Sequence, residues 1–313
     1  MQKLDTSSAI ELTGLTKFYG KVRGVEGVDL TVRAGEIFGF LGPNGAGKTT
    51  TIRMIMGFLR PTRGQGAVFG HDIVRQSTAL RRLVGFVPGT ATPYEHLTGA
   101  QVLDYLGGLQ GAPTPLREEL CGRLQLADGD LRRPLREYSK GMRQKIALIQ
   151  AFQHDPALLL MDEPTEGLDP LVQNELFTII QERNAHGVTV FFSSHVLPEV
   201  ERLCQRVGII REGRLVAVEN VHELRQRRGL IIELRLAPGA LPDALLRLPG
   251  VTLLSHEADA IRLRYQGELA PLMAALAALP LEALTIEHPS LDEIFLTYYQ
   301  QSEGLTPEAV ANP

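Results

Sequence analysis

The segment Gly42-Pro43-Asn44-Gly45-Ala46-Gly47-Lys48-Thr49 fits the pattern G-x-x-x-x-G-K-[ST], and Thr50 follows it. Glycines at this spacing let successive backbone N–H groups converge on phosphate oxygens with no Cβ in the way. A helix that starts at the end of such a loop adds the positive end of its dipole. Lys48 would contact the β- and γ-phosphates of a nucleoside triphosphate, and the Thr49 hydroxyl would ligate Mg2+. By itself the pattern does not separate kinases, GTPases and ATPases.

A second constellation ends the apolar run Leu158-Leu159-Leu160-Met161 with the carboxylates of Asp162 and Glu163. Ligands of a parallel sheet bind at the C-terminal edge of its strands, where this pair falls. Asp162 would hold Mg2+ directly or through water, and Glu163 would polarise the attacking water as general base. An ordinary glutamate titrates near pH ~4.3. It is therefore a weak base, and positioning the water is part of its task. Without the glycine loop upstream, the pair would read as two solvated acids at a strand end.

The third constellation is Tyr138-Ser139-Lys140-Gly141-Met142-Arg143-Gln144. Ser139 has the character of an N-cap, and Met142, Ile146 and Ile149 mark the buried face of the helix that follows. A capped helix start with a glycine in its first turn is a second anion site. A chain that holds one nucleotide has use for two such sites if the second faces a nucleotide bound to another subunit. Spacing alone favours an ordinary capped helix.

The elements around these residues must present them. Residues 10–15 and 25–32 alternate in part, as strands of an antiparallel edge region do. Residues 36–41 form a short apolar strand into the glycine loop, and Ile52, Ile55, Met56 and Leu59 place a helix over 50–59 after it. Residues 97–152 read as mostly helical. Buried strands are expected at 157–161 and 188–192, with a helix between them that carries Val172, Leu176, Ile179 and Ile180 on one face. Residues 206–218 read as a hairpin turning at Glu212-Gly213. The class is α/β: a P-loop NTPase core with a mostly parallel sheet, an antiparallel β subdomain and a helical subdomain over about 97–152.

The composition changes after residue 226. The expected order over 230–287 is β-α-β-β-α-β, a small α+β domain of ferredoxin-like type. A final helix is expected at 290–300. The domains are then 8–225 and 226–301, with a polar, disordered tail over 302–313.

The chain has 313 residues, a net charge of −4 and a hydrophobic fraction of 44%. Nothing in this balance suggests nucleic-acid binding. Cys121 and Cys204 form no CxxC pair and read as reduced thiols of a cytosolic protein. The N-terminus has no apolar signal segment. The longest apolar run, near residues 270–281, contains Pro271 and Pro280 and falls short of the ~20 residues that span a bilayer. A membrane role would need another chain for the span.

The order of the glycine loop, Tyr138 to Met142, Asp162-Glu163, Gly167-Leu168-Asp169 and Ser194-His195 resembles the ATP-binding subunits of ABC transporters over residues 8–222. The resemblance implies ATP and Mg2+ as ligands and ATP hydrolysis as the activity. It implies that Ser139 and Gly141 touch the γ-phosphate, that Tyr19 stacks on adenine, that Asp169 communicates between two sites, and that His195 is a switch contacting the γ-phosphate. From the residues alone, Tyr19 reads as packing and a lone His195 as structural. The segment departs from the commonest LSGGQ form at Tyr138, Lys140 and Met142. A larger departure is Val87-Pro88-Gly89-Thr90, where the family carries a glutamine at the position of Gly89; a water can take its place on Mg2+.

The partners implied are a separately encoded transmembrane permease and a second ATP-binding subunit. The second subunit is a copy of this chain or a relative of it. The two would close head to tail around two Mg·ATP at the cytoplasmic face of the cell membrane. The segment from Pro289 to Tyr299 resembles the accessory domain of ATPases paired with bacterial exporter permeases. The rival class is a non-transport ABC ATPase of translation or DNA repair. The first commonly carries two cassettes and the second a long coiled coil, and this chain has one cassette and no sustained heptads.

Overall fold

The computed structural model describes residues 8–89, 94–227, 229–237, 243–257 and 260–287. The chain divides into two compact units, Met1–Val218 and Glu219–Pro313. The boundary lies a few residues before the expected one at 225/226, because the helix Val221–Arg227 groups with the second unit. The helix expected at 290–300 and the tail at 302–313 fall outside the described residues.

The first unit opens with the long strands β1 (Ser8–Tyr19) and β2 (Val22–Arg33), then β3 (Ile37–Leu41) and helix α1 (Lys48–Ile55). Strands β4 (Arg63–Val68) and β5 (His71–Asp72), helix α2 (Ser77–Arg81) and strand β6 (Val84–Val87) follow. The helical part contains α3 (Gly99–Gln110), α4 (Arg117–Arg123), α5 (Asp128–Leu131) and α6 (Lys140–Phe152). The chain then alternates through β7 (Leu158–Asp162), α7 (Pro170–Ala185), β8 (Thr189–Ser194), α8 (Leu197–Leu203), β9 (Arg206–Arg211) and β10 (Arg214–Asn220).

An antiparallel sheet runs in the order β2-β1-β4-β5. Its strands alternate only in part because the pairing of β1 with β2 shifts register between Leu12 and Leu15, beside Gly14 at φ 56°. Such bulges twist a strand and re-aim its side chains. The larger sheet runs β10-β9-β3-β8-β7-β6, with β9, β3, β8, β7 and β6 parallel. Strands β3, β7 and β8 are buried along their whole length, which is why they read as continuous apolar runs. Phe191 packs between Phe38 and Phe40 at centroid distances of 5.8 and 5.3 Å, at the centre of the core. Helix α1 is shorter than expected: Gly57, at φ 67°, turns the chain out of the helix before Leu59.

The second unit follows α9 (Val221–Arg227) with β11 (Leu230–Leu236), α10 (Asp243–Leu246), β12 (Val251–Glu257), β13 (Ala260–Tyr265), α11 (Leu269–Ala277) and β14 (Leu281–Glu287). The strand order β12-β13-β11-β14, with every pairing antiparallel, is the split β-α-β arrangement of a ferredoxin-like unit. Its core joins Ile232, Leu234 and Leu236 of β11 to Leu245, Leu272 and Leu276 of the helices.

Among the described residues no helix is long and apolar enough to cross a membrane. Both cysteines are free, and burial pushes both thiols up, Cys204 far more than Cys121. They are neutral packing groups at ordinary pH.

His154, just past the end of α6, is 9% exposed, and among the described residues neither ring nitrogen has a hydrogen-bond partner. Burial disfavours its charged form and holds its pKa below the ordinary value of 6.5. The folded chain therefore takes up this proton less readily than the unfolded chain. Above pH ~6.5 the residue adds no pH dependence; as pH falls below it, stability is lost. His154→Leu should gain denaturant midpoint relative to the parent as pH drops from 7 to 5. A constant difference across that range would show that His154 does not titrate against folding.

Candidate functional site

The strand order explains why residues so far apart in sequence meet. Strands β3, β8, β7 and β6 are consecutive and parallel, so their C-terminal ends share one edge. The chain leaves β3 into Gly42, β8 into His195, β7 into Glu163 and β6 into Pro88-Gly89. A cleft of about 320 Å3 opens at this edge, lined by Asn44, Thr49, Arg53, Phe58, Phe86, Pro88, Gly89, Asp162 and Glu163.

Residues 42–47 turn from β3 into α1, with Gly45 at φ 81° and Gly47 at φ 107°. Gly47 has no substitute: a Cβ there would lie 2.6 Å from Val25 Cγ1 and 2.8 Å from the Gly24 carbonyl oxygen. Ala46 is buried, and the Gly47 carbonyl accepts from the Thr51 amide at 2.9 Å to open the helix.

Lys48 is 4% exposed. Its ammonium donates to the Gly42 carbonyl at 2.6 Å and the Pro43 carbonyl at 3.1 Å, and Glu163 Oε1 stands 3.1 Å away. The other oxygen of Glu163 lies 3.1 Å from His195 Nδ1. Glu163 thus bridges the loop lysine and the histidine. Its backbone sits in the left-handed region at φ 50°, uncommon for a residue with a side chain, where its amide meets the carbonyl and hydroxyl of Ser193 at 3.1 and 3.2 Å.

Asp162 is buried, and both its oxygens accept hydrogen bonds at 2.7 Å, from Thr49 Oγ1 and from Ser193 Oγ. A hydroxyl and a carboxylate in contact form the hard-oxygen pair that Mg2+ takes from a protein, with water and phosphate oxygens completing the shell. Gly89 lies against the same carboxylate. A Cβ there would stand 3.2 Å from Asp162 Oδ2, so a side chain at this position requires a shift of only a few tenths of an ångström.

Tyr19 is 46% exposed, and the Lys17 ammonium sits 5.6 Å from its ring centroid. Its Cε2 and the Thr50 methyl both lie within 3.2 Å of the point a Gly24 Cβ would occupy. The ring therefore stands beside the start of α1.

Ser139, Gly141 and Asp169 do not join this cluster. Ser139 caps α6, its hydroxyl accepting from the Met142 amide at 3.2 Å. Asp169 caps α7, with Oδ1 accepting from the Leu171 and Val172 amides at 3.1 and 3.0 Å. The two helix starts approach closely. A Cβ on Gly141 would be 2.7 Å from the Gly167 carbonyl oxygen, and Lys140 ion-pairs with Glu166. Gln144 adds a 2.8 Å hydrogen bond to the Pro164 carbonyl. The segment after Glu163 is thus clamped to the capped start of α6.

Sequence reasoning missed Ser193, which holds both Asp162 and the Glu163 amide. The available signal was the Ser193-Ser194 doublet at the end of an apolar strand, where side chains ought to be buried and non-polar.

Residues 25–166 match the family described as ABC transporter. The daunorubicin/doxorubicin resistance ATP-binding protein DrrA of Streptomyces peucetius is 36% identical, over 96% of this chain and 96% of that protein. The bacitracin transport ATP-binding protein BcrA of Bacillus licheniformis is 35% identical, over 74% of this chain and 76% of its own length. Among solved structures, the ATP-binding subunit of an ABC transporter superposes with a TM-score of 0.65 at 31% identity, over 70% of this chain and 93% of that one. A dimeric ATP-binding cassette bound to ADP and phosphate shares the fold at a TM-score of 0.59 and 22% identity, over 68% of this chain and 98% of that one. With its phosphate loop, carboxylate pair and histidine on one sheet edge, the chain belongs to the ATP-binding subunits of ABC transporters, ATPases whose hydrolysis of ATP powers transport.

Proposed function

We propose that this chain binds Mg·ATP between two ATP-binding subunits and drives a separately encoded permease that exports a small molecule, working at the cytoplasmic face of the cell membrane. The observation that carries the reading is the bridge Lys48–Glu163–His195 beside the Thr49–Asp162 pair. One edge holds a phosphate cradle, a metal-type oxygen pair and a base. The export direction draws on relatives named for antibiotic resistance or transport, DrrA, BcrA and the linearmycin resistance protein LnrL of Bacillus subtilis.

Each residue has a defined task in this mechanism. The loop amides and Lys48 take the β- and γ-phosphates, and Lys48 exchanges Glu163 for phosphate oxygens. Mg2+, held through Thr49 and Asp162, would neutralise charge on those oxygens. Released from Lys48, Glu163 orients a water and accepts its proton as the water oxygen bonds to the γ-phosphorus. The bond to the ADP oxygen breaks, leaving ADP, phosphate and the transferred proton. His195 keeps Glu163 in place from the opposite side. The dimer follows from Ser139 and Gly141: a helix start built for an anion, outside its own chain's cluster, has a natural ligand in the γ-phosphate of a partner subunit.

Glu163→Gln should bind ATP, accumulate a dimer in gel filtration and hydrolyse ATP roughly 10²–10⁴-fold more slowly; normal turnover would remove Glu163 from its role. Gly141→Ala should leave nucleotide binding by the monomer intact while abolishing the ATP-dependent dimer, because its Cβ, 2.7 Å from the Gly167 carbonyl of its own chain, would displace the helix start offered to the partner's γ-phosphate; an unaltered dimer would count against Gly141 at the interface. Gly89→Gln should keep ATP affinity within a few fold. A large loss in equilibrium binding would show that Gly89 serves the nucleotide site through its bare backbone.

A further inference from the structure

Glu199 is a buried acid that the mechanism above does not use. It lies in the first turn of α8 and is 9% exposed. Among the described residues its hydrogen-bond donor is the Ser194 hydroxyl, which reaches Glu199 Oε2 at 2.7 Å. Ser194 is itself 2% exposed. A buried carboxylate is costly to keep in the fold unless it holds something in place.

What Ser194 touches shows what is held. Its hydroxyl oxygen accepts from the Val196 amide at 2.9 Å, and its carbonyl accepts from the Gly42 amide at 3.4 Å. Its backbone pairs with Leu41 in the sheet. His195 lies between Ser194 and Val196, so the residues on both sides of it are tied to one hydroxyl, whose shorter acceptor is Glu199 at 2.7 Å against 3.3 Å for the Val196 carbonyl. The other end of the tie is equally firm. Helix α8 rests on β3 at Gly39, where a Cβ would lie 2.9 Å from Val200 Cγ1 and 3.0 Å from Cys204 Sγ. Glu199 is thereby anchored to the strand that feeds the phosphate loop.

We propose that Glu199 is a positioning residue: through Ser194 it fixes the turn that carries His195 and so sets the contact of 3.1 Å between His195 Nδ1 and Glu163 Oε2. The proposal rests on the role of His195 in the reading above. A simple first-turn acid would act on the helix dipole through its charge and would be indifferent to His195. The positioning role needs only an acceptor for the Ser194 hydroxyl, which glutamine also supplies.

The test is a double-mutant cycle read in steady-state ATPase kinetics of the full chain. Glu199→Ala should lower kcat at least fivefold with KM for ATP within twofold. Glu199→Gln should restore most of that loss. In a His195→Ala background, Glu199→Ala should change kcat less than twofold, because there is no histidine left to position. An equal loss in both backgrounds, or a Glu199→Gln variant as impaired as Glu199→Ala, would overturn the proposal. If Glu199→Ala does not fold, Ser194→Ala removes the same hydrogen bond and is read in the same two backgrounds with the same criteria. Normal kcat in His195→Ala alone would remove the histidine from the site, and the proposal with it. A strong loss in His195→Ala with additive loss from Glu199→Ala would overturn the positioning role alone.

Discussion

A buried ammonium needs acceptors on every side, and Lys48 finds them in the Gly42 and Pro43 carbonyls and in Glu163. Two are carbonyls of its own loop, so the lysine also holds the loop's curvature. The third is the Glu163 carboxylate. In the proposed mechanism this contact ties phosphate binding to activation of water, since an anion that draws Lys48 away also frees one oxygen of Glu163. The second oxygen stays on His195. In that mechanism one charge exchange separates a carboxylate held by a cation from one available to a water.

That exchange depends on the order of strands in the parallel sheet. With β8 between β3 and β7, the chain end carrying Ser193-Ser194-His195 falls between the phosphate loop and the carboxylate pair. Ser193 fastens Asp162 and the Glu163 amide, and Ser194 fastens the turn around His195. This placement of β8 is what brings His195 to within 3.1 Å of Glu163. The left-handed backbone of Glu163 is the local strain that this geometry requires.

The same carboxylate pair begins the segment that packs on the capped start of α6. Between Glu163 and Asp169 the chain touches α6 through Pro164, Glu166 and Gly167. Arg123 of α4 continues the tie by ion-pairing with Glu175 and Glu182 of α7. The helical part is therefore joined to the core through the stretch that follows Glu163. A change at Glu163 has a short path of contacts to Ser139 and Gly141.

Contiguous chemistry was legible in the sequence alone. The phosphate loop, the Asp162-Glu163 pair, the Ser139 cap and the buried strands each depend on neighbours within a few residues, and local geometry follows from local residue types. The ferredoxin-like order of the second unit was legible for the same reason, because each hairpin and helix carries its own period. The tertiary structure alone decided what meets what. The two motifs assign Thr49 and Asp162 to the same ion, but their direct 2.7 Å hydrogen bond, across 113 positions, is made only by the packed sheet. Nor could spacing show that Asp169 caps a helix, that Gly89 lies on the Asp162 carboxylate, that Ser193 holds Asp162, or that Glu199 accepts from Ser194. Those contacts are set by which strands lie side by side, and strand order is a property of the packed sheet.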